Sequence, residues 1–375
     1  MGLRKGFKIF IDPLAQKISA GVRFDPPLFL AILILSFLGL LNLAGIAGAD
    51  SLFFKKQTIF FIIGFFILFS NLLFDYRIFK NYSFPSAFFF GISIFLLFFT
   101  LQAVPVRGVT AWLHLPFGIS FETSEVVKLA MILFLARYFS SRGRVDNIST
   151  VLTSGLYVFL VIFLVFLQPD FGSALILFLI WLGGLLLLGL TKKQILFAVN
   201  LLVVVSLIIG IFVLEPYQKL RITSFLGGIA GQGNESYSVL QSKIAIGSAG
   251  FWGLGFGKGS QAKYGILPEA ASDFALAALT EQFGFISLAA VLFLYLVILN
   301  RLFSIASRIR DNFSKFFLAM FSVYFFSHVV INAGMNLGLL PVTGLPLPFV
   351  SYGGSYFISL TAGFAILENI RRRVV

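Results

Sequence analysis

Long apolar runs alternate with short polar segments along the whole chain. Ten of these runs have about the length that an α-helix needs to cross a bilayer. Backbone N–H and C=O groups inside lipid must be hydrogen-bonded within their own segment, so the runs are predicted to be helices. They cover residues 28–47, 58–74, 84–104, 124–139, 151–167, 171–190, 195–214, 274–299, 316–340 and 349–367. The pattern predicts an all-α integral membrane protein with about ten transmembrane helices, in which residues 1–375 form a single polytopic domain.

Composition and charge support this interpretation. Hydrophobic residues make up 59% of the chain and charged residues 11%, which is not typical of a soluble globular domain. The formal net charge of +13 raises the question of nucleic-acid binding. With the N-terminus inside, however, most Lys and Arg residues fall in inside segments, as the positive-inside rule requires. We therefore expect membrane lipids and no nucleic acid as partners, cytoplasmic N- and C-termini, and a basic cytoplasmic segment at residues 1–26.

Cysteine and histidine usage restricts the chemistry. The chain contains no cysteine and two histidines, His114 and His328. Disulfides, thiolate catalysis and zinc–thiolate sites are excluded, and two histidines this far apart in sequence do not indicate a histidine metal cluster.

The segment between the seventh and eighth predicted helices, residues 215–273, is a large extracytoplasmic loop, and loops of this length usually carry function. Within it, GLGFGKGSQAK contains Lys258 and Lys263. It is not a phosphate-binding P-loop, because Trp252 occupies the place of the first glycine and Gly259 follows the lysine. Glycine N–H groups beside two lysines can still hold a diphosphate. The alternative interpretation is a flexible surface loop.

Asp273 stands where this loop enters the eighth predicted helix. A carboxylate at the edge of a low-dielectric region is costly to keep, so it is a functional candidate, and a general base is the role we predict. The alternative is a helix N-cap. Glu269 precedes it by one turn. Glu281 lies about two turns deeper on a similar face and is predicted to support the site or to contact a neighbouring helix.

Two further acidic positions lie beside or within predicted helices. Glu125 and Lys128 have the i, i+3 spacing that lets side chains pair on one helix face. An ionised group near the bilayer centre costs about 2.5–3.5 kcal/mol, so we expect this pair to face a cavity and to line a site for a charged headgroup. A structural ion pair is the alternative. Asp170 is predicted either to cap the sixth helix or to accept from an outside basic residue.

Five segments in this order carry a resemblance to a known family: TSEVVKLAMILFLARY, LQPDFGSAL, YSVLQSKIAIGSAG, ILPEAASDFALAALTEQFGF and NAGMNLGLLPVTGLPLPFVSYGGS. Over nearly its whole length the chain resembles the SEDS (FtsW/RodA/SpoVE) proteins of bacterial cell-wall synthesis, and it is most similar to the rod-shape branch. The resemblance implies ten helices in the bacterial cytoplasmic membrane, with both termini cytoplasmic.

The resemblance also implies an activity. SEDS proteins are peptidoglycan glycosyltransferases that polymerise lipid II, the disaccharide-pentapeptide on undecaprenyl diphosphate, at the outer membrane face. Such an inverting enzyme would use lipid II and undecaprenyl-diphosphate-linked glycan, and it would work with a class B penicillin-binding transpeptidase in cell elongation and shape. A lipid II flippase and a non-catalytic scaffold for the transpeptidase are the alternatives. The unusual residues gather on the outside face, which favours the enzyme.

The family motifs assign roles to individual residues. Asp273 matches the catalytic base, and Glu125 and Lys128 match the Glu and Lys of the S-E-x-x-K motif. The remaining predicted substrate contacts are Arg221, Gln241, Lys243, Lys258, Lys263, Ser351 and Tyr352. The predicted supporting residues are Asp170, Glu269, Glu281 and Arg107. A divalent cation, Mg²⁺ or Mn²⁺, is expected to assist the leaving diphosphate, and no organic cofactor is expected.

The chain departs from the family pattern at several positions. Ala111 stands where an arginine is usual, and Arg107, four residues earlier, is the candidate substitute. Thr123 replaces a proline, Ser272 a threonine and Gln282 a glutamate. None of these changes removes Asp273, but the missing arginine affects the expected substrate contacts.

Overall fold

The computed structural model describes residues 24–70, 75–103, 109–115, 119–142, 148–189, 196, 200 and 234–374. In these ranges the chain is mainly helical. The helices are α1 (Pro26–Ala47), α2 (Leu52–Ser70), α3 (Arg77–Asn81), α4 (Ser83–Thr100), α5 (Thr123–Ser140), α6 (Ile148–Leu167), α7 (Phe171–Leu187), α8 (Asn234–Ser248), α9 (Ser260–Lys263), α10 (Ala275–Ala306), α11 (Asn312–Asn336) and α12 (Gly354–Val374). Two short antiparallel strands, β1 (Trp112–Leu115) and β2 (Ile119–Glu122), form a hairpin before α5.

The described helices confirm a multi-pass all-α membrane protein. Helices α1, α2, α4, α6, α10 and α11 are long and apolar enough to cross a membrane, and α7 is a shorter apolar helix. Helices α5 and α12 also coincide with predicted spans but carry more charged residues. The seventh predicted span, residues 195–214, lies almost entirely outside the described residues, so the count of ten stays a prediction.

Helix α5 lies inside the bundle. It packs against α4, α7, α11 and α12, and most of its side chains are buried, including charged ones. Helix α1 packs against α10, and α2 against α12. Because α5 is enclosed on several sides, its buried polar side chains can be hydrogen-bonded by neighbouring helices instead of water.

Helix α10 is interrupted, whereas the sequence predicted an unbroken helix over residues 274–299. Gly284 has φ 77° and ψ −177°, which is outside the helical region. The backbone groups released at this break bond to the glycine-rich segment: Leu254 N–H donates to Glu281 O at 2.9 Å, and Phe285 N–H donates to Gly250 O at 3.0 Å. An interruption at membrane depth is tolerated where such bonds replace the lost ones.

The last helix begins at Gly354, later than the predicted start at residue 349. Residues 341–347 have no regular structure, residues 348–351 form a turn and a bend, and Phe349 has a positive φ of 64°. The side chains of Leu345, Leu347 and Phe349 are nevertheless buried. Apolar character alone does not distinguish a buried irregular segment from a helix, which is why the predicted boundary was wrong.

Candidate functional site

Asp273 lies in the turn immediately before α10 and is held from α11. The side-chain amides of Asn332 and Asn336 both donate to its backbone carbonyl oxygen, at 2.9 and 3.0 Å. Both asparagines are fully buried near the end of α11. The side chain of Asp273 is half-buried, and a Cβ placed on Gly344 would lie 3.7 Å from its Oδ2 atom. The N-cap position of α10 belongs to Phe274, so Asp273 does not occupy it.

A second contact to this turn comes from the segment before α12. The hydroxyl of Ser351 donates to the backbone oxygen of Ser272 and accepts from Leu347 N–H. The backbone N–H of Tyr352 donates to Ala271 O at 2.8 Å. The structure therefore brings the predicted residues Ser351 and Tyr352 against the Asp273 turn. Both of these hydrogen bonds act on the backbone of the turn.

Glu269 closes the same turn from within. Its backbone oxygen accepts from Ser272 N–H and Phe274 N–H, both at 3.1 Å, and its carboxylate accepts from the Ser272 hydroxyl at 3.0 Å. Its backbone has a positive φ of 53°. These bonds fix the turn that contains Asp273, and the supporting role of Glu269 in catalysis stays a prediction.

Helix α8 reaches the end of α11 next to Asn336. The Ser242 hydroxyl donates to the backbone oxygen of Asn336 at 2.8 Å. The neighbouring Lys243 is exposed, and its side chain lies against Gly338, where an added Cβ would be 2.6 Å from Nζ. Gln241 is half-buried on the same helix. The Lys243 ammonium thus lies against Gly338, two residues beyond Asn336, whose side-chain amide holds the backbone of Asp273.

The glycine-rich segment packs on the interrupted helix. Gly257 N–H donates to the Gln282 side chain at 3.0 Å, and the buried Glu281 carboxylate accepts from Gln261 N–H at 2.8 Å and Ala262 N–H at 3.1 Å. The N–H groups of Gly257, Gln261 and Ala262 are thus bonded within the protein, and binding of a diphosphate by this segment stays a prediction. Glu281 holds this segment through these two bonds, and its support of the reacting groups stays a prediction.

The two lysines of this segment differ in their contacts. Lys258 is exposed, whereas the exposed Lys263 donates to Gly257 O at 2.8 Å. Their predicted contact with substrate stays a prediction.

Glu125 and Lys128 form an ion pair inside the bundle. Lys128 Nζ lies 2.7 Å from Glu125 Oε1, and the Tyr324 hydroxyl donates to Glu125 Oε2 at 3.1 Å. The two charged side chains are 1% and 0% exposed. We expected the pair to face a cavity. Its enclosure instead favours a structural ion pair in this state, and direct contact with a headgroup stays a prediction.

Glu122, at the end of β2, was missed by the sequence analysis. Its carboxylate accepts from the Ser124 hydroxyl at 2.8 Å, and its backbone N–H donates to Ser355 Oγ at 2.9 Å. Burial first, and then the nearby charges of Glu125 and Asp170, raise the pKa of Glu122 to about 8. The available signal was an acidic residue three positions before Glu125.

The remaining predicted residues have separate positions. Asp170 caps α7, because its Oδ1 accepts from Ser173 N–H at 2.9 Å. The Ser173 hydroxyl in turn contacts Ser124 at 3.3 Å and links α7 to α5. Arg107 and Arg221 lie outside the described residues. Ala111 is fully buried and supplies no cation at its position.

Comparison with known proteins finds relatives that match over most of the chain. The chain is 31% identical over 349 residues to peptidoglycan glycosyltransferase MrdB of Escherichia coli K12, covering 93% of this chain and 94% of the relative. It is 35% identical over 320 residues to MrdB of Helicobacter pylori J99, covering 84% and 82%. A probable peptidoglycan glycosyltransferase FtsW of Geobacter sp. M18 is 31% identical over 333 residues, covering 87% and 88%.

Solved structures show the same fold. A chain from a structure concerning coordination of polymerization and crosslinking by a peptidoglycan synthase complex matches with TM-score 0.80 and 26% identity, covering 94% of this chain and 99% of that one. The rod-shape-determining protein RodA of Thermus thermophilus matches with TM-score 0.70 and 24% identity, covering 94% and 98%. A sequence model of the FtsW/RodA/SpoVE family, described as cell cycle protein, matches residues 27–374. The chain belongs to the FtsW/RodA/SpoVE family.

Proposed function

We propose that this protein is a peptidoglycan glycosyltransferase that polymerises lipid II into glycan strands for cell elongation and shape. The observation that carries the proposal is the turn around Asp273. Contacts from α11 and from the segment before α12 hold its backbone, while the carboxylate stays half-buried. Relatives that share 31–35% identity over most of the chain have this activity in their names.

The proposed reaction is a single inverting displacement. The 4-hydroxyl of the acceptor sugar gives its proton to the Asp273 carboxylate, and its oxygen forms a bond to the anomeric carbon of the donor. The bond between that carbon and the diphosphate breaks, and the electron pair leaves with undecaprenyl diphosphate. One base and a stabilised leaving group suffice, because inversion needs no covalent intermediate.

Fixing the backbone of Asp273 has a catalytic purpose in this proposal. A general base acts only within hydrogen-bond reach of the proton that it accepts. Hydrogen bonds from two buried asparagine amides restrict the movement of the turn. The position of the carboxylate is then set before substrate binds, which lowers the entropic cost of reaching the reactive geometry.

Cationic side chains would stabilise the leaving diphosphate. Lys243 near the end of α11 and the two lysines of the glycine-rich segment are the described candidates, and Arg221 is a further one by sequence. The described residues contain no cluster of three or more His, Asp or Glu side chains arranged to hold a metal ion. The expected Mg²⁺ or Mn²⁺ stays a prediction, and no step is assigned to a metal ion.

The proposed site faces outward, with cytoplasmic termini, and works beside a class B penicillin-binding transpeptidase that crosslinks the new strand. Support comes from the similar chain in a peptidoglycan synthase complex that combines polymerization and crosslinking. The distribution of Lys and Arg supports the orientation.

Polymerisation of labelled lipid II by the purified protein, with and without a cognate transpeptidase, tests the proposal on a gel. Wild-type protein is expected to make long glycan products. Asp273→Asn keeps the size of the side chain and should lose them. Asp50→Asn is the matched control, because Asp50 is an exposed carboxylate between α1 and α2.

The outcomes separate the three candidate functions. Normal polymerisation by Asp273→Asn would remove Asp273 from its proposed role. The absence of product from folded wild-type protein with its partner would favour lipid II transport or scaffolding, and a lipid II translocation assay in vesicles would then distinguish these two.

A further inference from the structure

A polar pocket of about 430 Å³ lies at the end of the bundle opposite Asp273. It forms where α3, the end of α5 and the start of α11 meet. Its lining residues are Lys80, Asn81, Arg137, Ser140, Asp311, Asn312 and Phe313. Asn312 and Asn336 are at opposite ends of α11, so about 36 Å separates the pocket from the asparagine that holds Asp273. A bilayer core is about 30 Å thick, which places the pocket at the other membrane surface.

The charges in the pocket favour an anion. Lys80 Nζ lies 3.4 Å from Asp311 Oδ1, and both side chains remain partly exposed. The Arg137 guanidinium donates through Nε to Ser83 Oγ at 3.2 Å, and no described carboxylate forms an ion pair with it. Two cations and one carboxylate leave an excess of one positive charge. Arginine presents further N–H donors in a planar fork that matches the oxygens of a phosphate.

The pocket is continuous with a surface that faces lipid. Tyr82 and Phe84, next along the chain from Lys80 and Asn81, are 65% and 74% exposed, and Phe88 one turn later is 56% exposed. Aromatic side chains at a helix end are typical of the headgroup level of a membrane. A lipid whose acyl chain lies along α4 would therefore have its headgroup beside Arg137.

We propose that this pocket binds the phosphate of an anionic phospholipid, with Arg137 and Lys80 as its ligands. Basic pockets between helix ends at a membrane surface are suited to such headgroups. The volume falls within the range of about 300–1,000 Å³ found for small-molecule sites. Lipid is favoured over free phosphate because the exposed aromatic surface of α4 adjoins the cationic residues. The site does not depend on the proposed role of Asp273.

Native mass spectrometry of the purified full-length protein tests this site. Phosphatidylglycerol, phosphatidylcholine and inorganic phosphate are titrated separately, and bound adducts are counted. Wild-type protein should retain phosphatidylglycerol. Removing each charge should weaken its binding about fivefold, so Lys80→Gln/Arg137→Gln should lose more than tenfold. Arg308→Gln/Arg310→Gln removes the same charge from exposed residues near the pocket but outside its lining, and should bind as wild type.

A variant that is expected to strengthen lipid binding, instead of weakening it, keeps the test independent of folding defects. Asp311→Asn removes the negative charge, can still cap α11, and should strengthen phosphatidylglycerol binding. Equal loss in both double variants would mean non-specific attraction and would overturn the proposal. Binding of inorganic phosphate alone, or of phosphatidylcholine as well as phosphatidylglycerol, would also overturn it.

Discussion

The side-chain amide of Asn336 donates to the backbone carbonyl oxygen of Asp273 at 3.0 Å, although 63 residues separate them in sequence. The same side chain accepts from Ala277 N–H at 3.1 Å, in the first turn of α10. One buried amide therefore joins the proposed base and the helix behind it to α11. This relationship makes Asn336 a positioning residue for Asp273.

Asn336→Asp should reduce the polymerisation rate by about tenfold, because the new carboxylate still accepts from Ala277 N–H but no longer donates to Asp273 O. The rate at saturating lipid II should fall more than the apparent affinity for lipid II. Polymerisation measured over a range of lipid II concentrations separates the two quantities.

Asn300→Asp is the control for this change, since Asn300 is exposed near the end of α10 and belongs neither to the Asp273 turn nor to the lining of the polar pocket. It should retain the wild-type rate. A purely structural role for Asn336 would instead lower the amount of folded protein without changing the rate per folded molecule, and that result would contradict the positioning role.

The Glu125–Lys128 pair should show strong energetic coupling. Glu125→Gln leaves the fully buried Lys128 ammonium without its partner, which costs about 3–5 kcal/mol. The double variant Glu125→Gln/Lys128→Met removes both charges and should be more stable than Glu125→Gln alone. Thermal unfolding in detergent measures each variant.

Tyr324→Phe removes only the hydrogen bond to Glu125 and should lower the free energy of unfolding by about 1 kcal/mol. The cost of breaking the Glu125–Lys128 ion pair can be compared with this value. Additive effects of the Glu125 and Lys128 substitutions would show that the two residues do not interact, contrary to their 2.7 Å separation.

The sequence predicted the class of fold well because transmembrane helices depend on local composition. Each apolar run of sufficient length has to be helical in lipid, whatever its neighbours are. The interruption at Gly284 could not be predicted this way. It depends on backbone bonds between residues 250–255 and 281–286, and these partners are brought together only by folding.

The site was predicted in part for a similar reason. Asp273 was recognised because a carboxylate at the start of an apolar helix is unusual in sequence. Asn332, Asn336 and Tyr324 lie within an ordinary-looking apolar helix, and their role arises from contacts with residues 59 to 199 positions away. Such contacts leave no local pattern.

Glu122 should make stability depend on pH. Its pKa in the folded protein is about 8, above the ordinary value of 4.5, so folded protein retains this proton over a range where the unfolded chain has lost it. Stability due to this group is therefore present below pH 4.5, falls as pH rises toward 8, and stays low above it. Glu122→Gln does not titrate and should melt at a higher temperature than wild type at pH 9.

Melting curves at pH 5, 7 and 9 check this dependence. The difference in melting temperature between Glu122→Gln and wild type should shrink toward pH 5. Asp50→Asn, which alters an exposed carboxylate, should follow the wild-type pH profile. Equal melting temperatures for wild type and Glu122→Gln at pH 9 would show that Glu122 is ionised without penalty in the folded protein.

Gly284→Ala should be among the most destabilising single substitutions in the chain. A Cβ at this position would lie 2.2 Å from Phe251 O, and the backbone φ of 77° disfavours any other residue. The atoms that this Cβ would meet, in Phe251 and Gly253, belong to the backbone and cannot rotate away as a side chain could. We therefore expect the free energy of unfolding to fall by at least about 3 kcal/mol.

Gly247→Ala is the control, because an added Cβ there meets no atom within 4 Å and alanine favours the helical conformation of α8. Thermal unfolding should give a large decrease for Gly284→Ala and no decrease for Gly247→Ala. A Gly284→Ala variant as stable as wild type would mean that α10 runs through this position without interruption, and the packing of the glycine-rich segment against it would then have to differ as well.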